Sequence, residues 1–286
     1  MAVRKPPTER QRRLGAELRK MREHAGLSLT DAAALHGTDK TTMSNTESGR
    51  FGVSQDRVRV WAANYACHDQ DYVGALAGMA RERRAGAKNW WDGYRDLLAA
   101  GLLDLAEMEH HAVALRTAQI THMPGLLQHE DYARAVFNEA VPPLPAEELE
   151  RKVAFRVGRS RVLHHGDPPA CTFLIHETAL RMRFGAIAVA KRQLDHLLEQ
   201  SDHPHVTVRV LPFAAGGFPS AGSSALYASG PVAQLDTVQK DTPTGAAFLH
   251  GETQLANYRA ILCRMEERSL DHASSRDMIR EVAKQL

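Results

Sequence analysis

The chain has 286 residues, 43% of them hydrophobic and 24% charged, which is the composition of an ordinary globular protein long enough for two domains. No apolar run reaches the ~18 residues of a membrane helix, and the charged start MAVRKPPTERQRR lacks the apolar core of a secretory signal. We therefore expect a cytoplasmic protein without a membrane span. Its three cysteines, Cys67, Cys171 and Cys263, are too far apart and too few for a disulfide framework or a metal motif.

Charge is unevenly distributed along the chain. Residues 1–90 hold 16 Lys and Arg against 10 Asp and Glu, a balance of +6, whereas residues 91–286 hold 20 against 24, a balance of −4. Most of the basic excess lies in residues 1–26, with 8 basic and 3 acidic groups. A basic part joined to an acidic part is typical of a domain that binds a polyanion and a second domain that regulates it.

The first predicted helix covers Glu9 to His24. Its apolar side chains repeat at helical spacing and form one stripe, made of Leu14, Leu18, Met21 and Ala25. Basic side chains occupy the remaining faces, namely Arg12, Arg13, Arg19, Lys20 and Arg22. Gly26 ends the helix in the usual C-terminal role of glycine.

Residues 26–49, GLSLTDAAALHGTDKTTMSNTESG, predict two short helices that meet at Gly37. Ser28 is a suitable N-cap for the first, and the three alanines that follow allow another helix to cross closely. Gly37 supplies the positive φ of the turn, and Thr38 or Asp39 caps the next helix. This is the layout of a helix-turn-helix, whose second helix enters the DNA major groove.

The helix after Gly37 is predicted to have two different faces. Met43, Thr46 and Glu47 share one of them. The other face is short, polar and rich in hydrogen-bond donors, and it comprises Lys40, Thr41, Ser44, Asn45 and Ser48. Lys can donate to guanine, Asn can pair with adenine, and Thr can contact the thymine methyl group. We therefore predict that this face binds DNA, with Arg50 just beyond it on the phosphate backbone.

Two further helices complete the predicted N-terminal domain. Ser54 caps a fourth helix with core residues Val58, Trp61, Ala62 and Tyr65, and a fifth, from about Asp71 to Arg84, carries Tyr72, Leu76 and Met79. We assign residues 1–80 to this domain and residues 81–89, RERRAGAKN, to a linker.

With these residues in place, the segment from about 10 to 68 resembles the Cro/CI-type (XRE) helix-turn-helix regulators. They share the GLS start, the alanines of the second helix, the turn glycine and the closing Glu47-Ser48-Gly49. The resemblance implies a five-helix domain that binds operators as a dimer on paired half-sites. By position it implies that Lys40, Thr41 and Asn45 face bases, while Thr42 and Arg50 approach phosphates.

The sequence departs from that family pattern at three positions. Leu29 stands where the family often has a Gln that contacts DNA, so one typical contact is missing. His36 and Thr46 stand where aliphatic core residues are usual, and we expect these polar replacements to weaken the core.

Residues 90–286 predict a larger α+β domain with a small sheet, so that the whole chain is mostly α. Helices are predicted over about 91–118 and 128–160, with breaks at 122–125 and 142–145, and at about 187–200, 253–268 and 274–285. Strands are predicted at 171–175, 206–213 and 224–228, with a weaker segment at 233–238.

Several segments of this second domain resemble a narrower group of proteins. HMPGLLQHEDYARA (122–135), HETALRMRFG (176–185) and LANYRAILCRMEERSL (255–270) are similar to the C-terminal domain of actinobacterial regulators of the WhiJ-like, Scr antitoxin-like type. The resemblance implies developmental or antibiotic control and a small companion protein as partner.

The chain contains no set of acid, base and nucleophile typical of an active site, so we expect no enzymatic activity, no cofactor and no metal. The histidine pairs 110–111, 164–165 and 203 with 205 lack accompanying cysteines or acidic clusters. Arg156, Arg159 and Arg161 are candidates for an anion site, although solvated surface cations are favoured.

The sequence therefore predicts a sequence-specific DNA-binding transcriptional regulator, a homodimer on double-stranded DNA, whose C-terminal domain senses a partner protein or a ligand. The alternative is an antitoxin-like module that sequesters a small companion protein and binds DNA for autoregulation. An enzyme with a DNA-binding appendage is a third interpretation, which the missing active-site pattern disfavours.

Overall fold

The chain divides into two compact units, Met1–Arg95 and Asp96–Leu286. The structure, a computed structural model, describes residues 6–84, 89–164, 166–242 and 245–286. Residues 85–88 of the predicted linker lie outside the described residues, so the linker stays a prediction. In the described ranges, no helix is long and apolar enough to cross a membrane.

The N-terminal unit is helical over its described residues. It contains α1 (Glu9–His24), α2 (Leu29–Leu35), α3 (Lys40–Glu47), α4 (Gln55–Asn64) and α5 (Gln70–Arg84), followed by a 3₁₀ helix at Trp90–Tyr94. The predicted five-helix arrangement is therefore confirmed. The first four helices begin where expected because the hydroxyl or carboxylate oxygen of an N-cap side chain accepts a hydrogen bond from the backbone N–H three residues later. These caps are Thr8, Ser28, Asp39 and Ser54.

The core of this unit uses the predicted stripes. Leu14, Leu18 and Met21 of α1 are buried, as are the predicted core residues of α4 and α5. Ala25 is the exception, because it is the C-cap of α1, lies beyond the last helical turn and is exposed.

The C-terminal unit is α+β, as predicted. Its helices are α6 (Ala100–His111), α7 (Glu130–Asn138), α8 (Ala146–Arg159), α9 (Glu177–Arg181), α10 (Ile187–Gln200), α11 (Glu252–Arg268) and α12 (His272–Gln285). Its strands are β1 (Ala114–Gln119), β2 (Ala170–His176), β3 (Val206–Leu211), β4 (Ala225–Ser229), β5 (Thr237–Thr242) and β6 (Gly245–Leu249). Short 3₁₀ helices lie at Gly125–Leu127, Ser160–Leu163, Phe213–Ala215 and Ala233–Leu235.

The described strands form one mixed sheet in the order β3-β2-β1-β4-β5-β6. β1, β2 and β3 are parallel, and β4, β5 and β6 continue the sheet in antiparallel fashion. Helices cover both faces. Leu115, Phe173 and Val208 pack on one face against residues of α7, α10 and α12, while Ala118, Leu174 and Val238 pack on the other against residues of α11.

The prediction of a helix through residue 118 is wrong, because residues 114–119 form β1 near the middle of the sheet. The sequence ALRTAQ is rich in good helix formers. Pairing with β2 on one side and β4 on the other overrides that preference. The β3 prediction was too long at its end, since Pro212 has no N–H to donate to a neighbouring strand. The segment at 233–238 is a 3₁₀ helix that leads into β5, and β6 and α9 were not predicted.

Candidate nucleic-acid interface

The N-terminus of α3 is fixed by its cap. Asp39 accepts a hydrogen bond from the backbone N–H of Thr42 at 2.8 Å, and the Thr42 hydroxyl donates to the other carboxylate oxygen at 2.7 Å. These bonds, led by the one from the Thr42 side chain, lower the pKa of Asp39. Because the Thr42 hydroxyl proton is directed at Asp39, this hydroxyl must rotate before it can donate to a phosphate.

The two predicted faces of α3 are present. Met43, Thr46 and Glu47 are buried, and Met43 is 0% exposed. Lys40, Thr41 and Ser44 are exposed on the opposite side, Thr42 and Asn45 are partly exposed, and Arg50 is exposed three residues after the helix ends. The structure thus brings the predicted DNA-contacting residues of α3 together on its outer side.

A buried ion pair holds the C-terminal end of α3 against α1. Arg22 Nε donates to Glu47 Oε1 at 2.6 Å, and Arg22 Nη2 donates to Glu47 Oε2 at 3.0 Å. The hydrogen bond with Glu47 is the chief cause that raises the pKa of Arg22. Arg22 Nη1 also donates to the carbonyl of Leu27, which precedes α2. One guanidinium therefore connects α1, the loop before α2 and the end of α3.

The close contact between α1 and the end of α3 explains why a glycine, Gly49, follows α3. Gly49 has φ +74°, and a Cβ placed on it would lie 2.6 Å from the carbonyl oxygen of Gln11 in α1. Gly15 of α1 meets α3 in the same way, because its Cβ would overlap the carbonyl oxygen of Glu47. Two glycines therefore allow the backbones of α1 and the end of α3 to touch.

Some basic residues of the first helix are structural, which the sequence pattern did not predict. Arg22 is 6% exposed and Arg13 is 5% exposed. Arg13 pairs with Glu17 at 2.7 Å, and Tyr72 of α5 donates to Glu17 at 2.5 Å. The signal was in the sequence, because Glu17 lies four residues after Arg13 on the same side of a helix. Part of the basic excess of residues 1–26 is therefore buried and paired with carboxylates inside the domain.

Thr46 and His36, the two polar residues at positions where aliphatic core residues were expected, differ in whether their polar atoms find a hydrogen-bond partner. The Thr46 hydroxyl donates to the carbonyl of Thr42 at 2.9 Å, so it is satisfied inside the core. His36 stacks on Trp61 with 4.8 Å between ring centroids, and its Nε2 atom is buried without a hydrogen-bond partner among the described residues. Burial, and secondarily the charge of Arg57, lower the pKa of His36.

The comparisons with protein families cover both units. Residues 102–281, more than half of the chain, match the family model described as "Domain of unknown function (DUF5753)". The chain belongs to the DUF5753 family. Residues 13–72 match a model described as "Helix-turn-helix domain", so the N-terminal unit is a DNA-binding domain of that type. No curated protein matches the chain, and no solved structure matches it.

Histidines from two of the predicted pairs of the DUF5753 unit lie close to one another in space. The rings of His203 and His205 lie 5.6 Å apart, and His203 lies 5.1 Å from His164. Over the parts of the chain that the structure describes, no group of three or more His, Cys, Asp or Glu side chains is arranged to hold a metal ion. Residue 165 of the predicted pair lies outside the described residues.

The interpretation of three solvated arginines in this unit is wrong for Arg159. This side chain is 7% exposed and forms a two-point ion pair with the buried Glu109 of α6, with distances of 2.8 and 2.5 Å. Arg156 is only partly exposed, whereas Arg161 is exposed. Arg161 lies beyond the end of α8, in the 3₁₀ helix Ser160–Leu163, so the α-helical face that carries Arg156 and Arg159 does not extend to it.

Proposed function

We propose that the chain is a sequence-specific transcriptional regulator of the XRE type that binds double-stranded DNA as a homodimer. In this proposal it is cytoplasmic, associates with the nucleoid when bound to DNA, and receives a partner protein or a ligand through its DUF5753 unit. The observation that supports it best is the outer side of α3, which is polar and exposed while the inner side is anchored by Glu47.

The assigned roles follow from side-chain chemistry. Lys40, Thr41, Ser44 and Asn45 are proposed to contact base edges, because each offers hydrogen-bonding groups or a methyl group that fit the major groove. Thr42 and Arg50 are proposed to contact phosphates. Arg50 suits that role because it is exposed and always charged, and a phosphate oxygen accepts from its guanidinium.

The experiment that tests this is affinity selection of genomic DNA fragments with the purified full chain at physiological salt, followed by binding measurements on an enriched site and on random DNA. We expect a short inverted repeat. Asn45→Ala should cost about 1–3 kcal/mol on the enriched site and little on random DNA, whereas Arg50→Ala should weaken both alike and lower the salt dependence by about one ion.

Arg59→Ala is the matched control, because Arg59 is an exposed arginine of α4 outside the proposed interface. It should leave the salt dependence unchanged. If the two arginine variants lose affinity equally, a general positive field accounts for the binding and the role given to Arg50 is wrong. If Asn45→Ala weakens binding equally on both DNAs, α3 does not read bases through this residue.

A second candidate is the antitoxin-like module that sequesters a small companion protein. Met182, Ile187 and Phe213 of the DUF5753 unit are large apolar side chains that are 40%, 45% and 54% exposed, and such residues are common at protein interfaces. Co-purification with the product of a small neighbouring reading frame, and a change of operator affinity in the complex, is the expected result. In either form we propose that the chain acts by binding and has no catalytic activity.

A further inference from the structure

Among the described residues, Arg156 of α8 is a cation without a carboxylate at ion-pair distance. Its Nη1 donates to Gln128 Oε1 at 2.9 Å, and its guanidinium carbon lies 4.8 Å from the centroid of the Phe137 ring. Burial lowers its pKa to about 10, and repulsion from Arg159 contributes further. A partly buried charge that lacks a partner is destabilising unless something else compensates it.

Arg159, three residues further along α8, does have a carboxylate partner. Its two hydrogen bonds to Glu109 neutralise it, and both side chains are buried. A further carboxylate, Asp241, acts on Arg156 only through space, and it accepts a hydrogen bond from Gln239 at 2.8 Å. Within the described ranges, the two arginines and Glu109 together therefore carry one positive charge that no hydrogen-bonded carboxylate neutralises.

The sheet contributes polar groups on the face that α7, α10 and α12 cover. Thr117 of β1 pairs with Leu226 of β4, which in turn pairs with Gln239 of β5. Gln119 and Asp241 each lie two residues beyond this row, in the same direction along the strands, and both are on this face of the sheet. The Oε1 atom of Gln119 is buried and has no hydrogen-bond partner in the part of the chain that the structure describes. A buried amide oxygen without a donor indicates a missing group.

The segment 124–128, part of the HMPGLLQHEDYARA motif, lies against the side chains of both arginines. A Cβ on Gly125 would lie 3.2 Å from Arg159 Nη1 and 3.5 Å from Arg156 Cδ, so glycine allows the two arginine side chains to pack closely against this segment. Gln128 is buried and orients Arg156, since its Nε2 donates to the carbonyl of Met123 at 2.8 Å and leaves Oε1 facing the guanidinium.

We propose that Arg156, Gln128 and Gln119 form a binding site for a small organic oxyanion that also carries a hydrogen-bond donor. The Arg156 guanidinium takes the carboxylate or phosphate group, because its planar fork matches two oxygens at once. Gln128 and the Phe137 ring hold the guanidinium in place, and Gln119 Oε1 accepts from a hydroxyl or amino group of the same ligand. This rests on the proposed ligand-receiving role of the DUF5753 unit and names the ligand class.

The direct test is calorimetric titration of the full chain, without DNA, with inorganic phosphate, glycolate and acetate at constant ionic strength. We expect saturable binding of phosphate or glycolate, and which of them binds identifies the oxyanion. Arg156→Gln should weaken it about tenfold or more, as expected for a lost charge-assisted hydrogen bond. Arg161→Gln is the matched control, because it removes an exposed arginine near the same helix end, and it should bind as the wild type does.

The contribution of Gln119 is tested by comparing two carboxylates. Glycolate has a hydroxyl donor that acetate lacks, so the wild type should prefer glycolate and Gln119→Leu should remove that preference. Absence of saturable binding by phosphate and glycolate, or equal binding by the wild type and Arg156→Gln, would overturn the site. An unchanged glycolate preference in Gln119→Leu would overturn the part played by Gln119.

Unfolding of the ligand-free variants separates a binding arginine from a structural one. Arg156→Met should be at least as stable as the wild type, because it removes an unpaired charge, whereas Arg159→Met should be less stable because it leaves Glu109 unpaired. Equal losses in both variants would make Arg156 structural and overturn the proposal. Anion binding that leaves DNA affinity unchanged would support the site and contradict the sensing role instead.

Discussion

Three glycines that end consecutive helices provide a controlled test of how α3 is positioned. Gly26, Gly37 and Gly49 have φ of +71°, +59° and +74°, so alanine at any of them must adopt a left-handed conformation. That conformation costs about 1–2 kcal/mol for an L-residue. Only Gly49 of the three has a second restriction. Its Cβ would lie 2.6 Å from the Gln11 carbonyl oxygen and 2.8 Å from the Arg12 nitrogen, whereas the other two have nothing within 4 Å among the described residues.

The expected magnitudes follow from these two costs. Gly26→Ala and Gly37→Ala should each lower the free energy of unfolding by about 1–2 kcal/mol. Gly49→Ala should lower it by about 2–5 kcal/mol, because forcing an atom into a closed backbone contact adds roughly 1–3 kcal/mol. The gain from restricting the unfolded chain is the same for all three replacements and cancels in the comparison.

Urea denaturation followed by tryptophan fluorescence suits this test. The three tryptophans of the chain, Trp61, Trp90 and Trp91, all lie in the unit Met1–Arg95, so the signal follows that unit. If Gly49→Ala costs no more than Gly37→Ala, the close approach of α1 to the end of α3 does not position α3. The same variant should also bind the selected DNA site more weakly, even where it remains folded.

Three further predictions concern the same unit. Glu47→Gln should cost about 3–5 kcal/mol, because the buried Arg22 loses its close carboxylate and keeps only the exposed Glu23 at 3.5 Å. Arg22→Met with Glu47→Leu together should cost less than the two single changes added, as a denaturant double-mutant cycle would measure. Gly15→Ala should destabilise the unit, although this replacement inside a helix ordinarily stabilises it by ~1 kcal/mol; increased urea resistance would contradict the contact with Glu47. The pKa of His36 is lowered from 6.5, so the unfolded chain binds its proton first as the pH falls. The contribution of His36 to stability is therefore fully present above about pH 6.5 and declines below it. His36→Leu should lose less stability than the wild type between about pH 7.5 and about pH 5.5; parallel losses would show that the pKa of His36 is the same in the folded and the unfolded chain.

The helices of the N-terminal unit follow from local sequence. The first three begin at a side chain that caps them and end beside a glycine with positive φ, so residues near in sequence determine the boundaries. The polar side of α3 is also local, because helical periodicity separates Met43 from Lys40 and Thr41 whatever packs against the helix. The fold class and the candidate DNA-contacting residues therefore follow from the order of residues alone.

Other features depend on partners that are distant in the chain. The segment 114–119 is a strand only because β2 and β4 pair with it, and its own residues favour a helix. Arg22 and Arg159 look like surface cations until Glu47 and Glu109, 25 and 50 positions away, come within hydrogen-bond distance. Arg156 lies on the same helix as Arg159, yet the described residues bring no such partner to it. Periodicity states which way a side chain points, but only the tertiary structure brings a distant carboxylate to meet it.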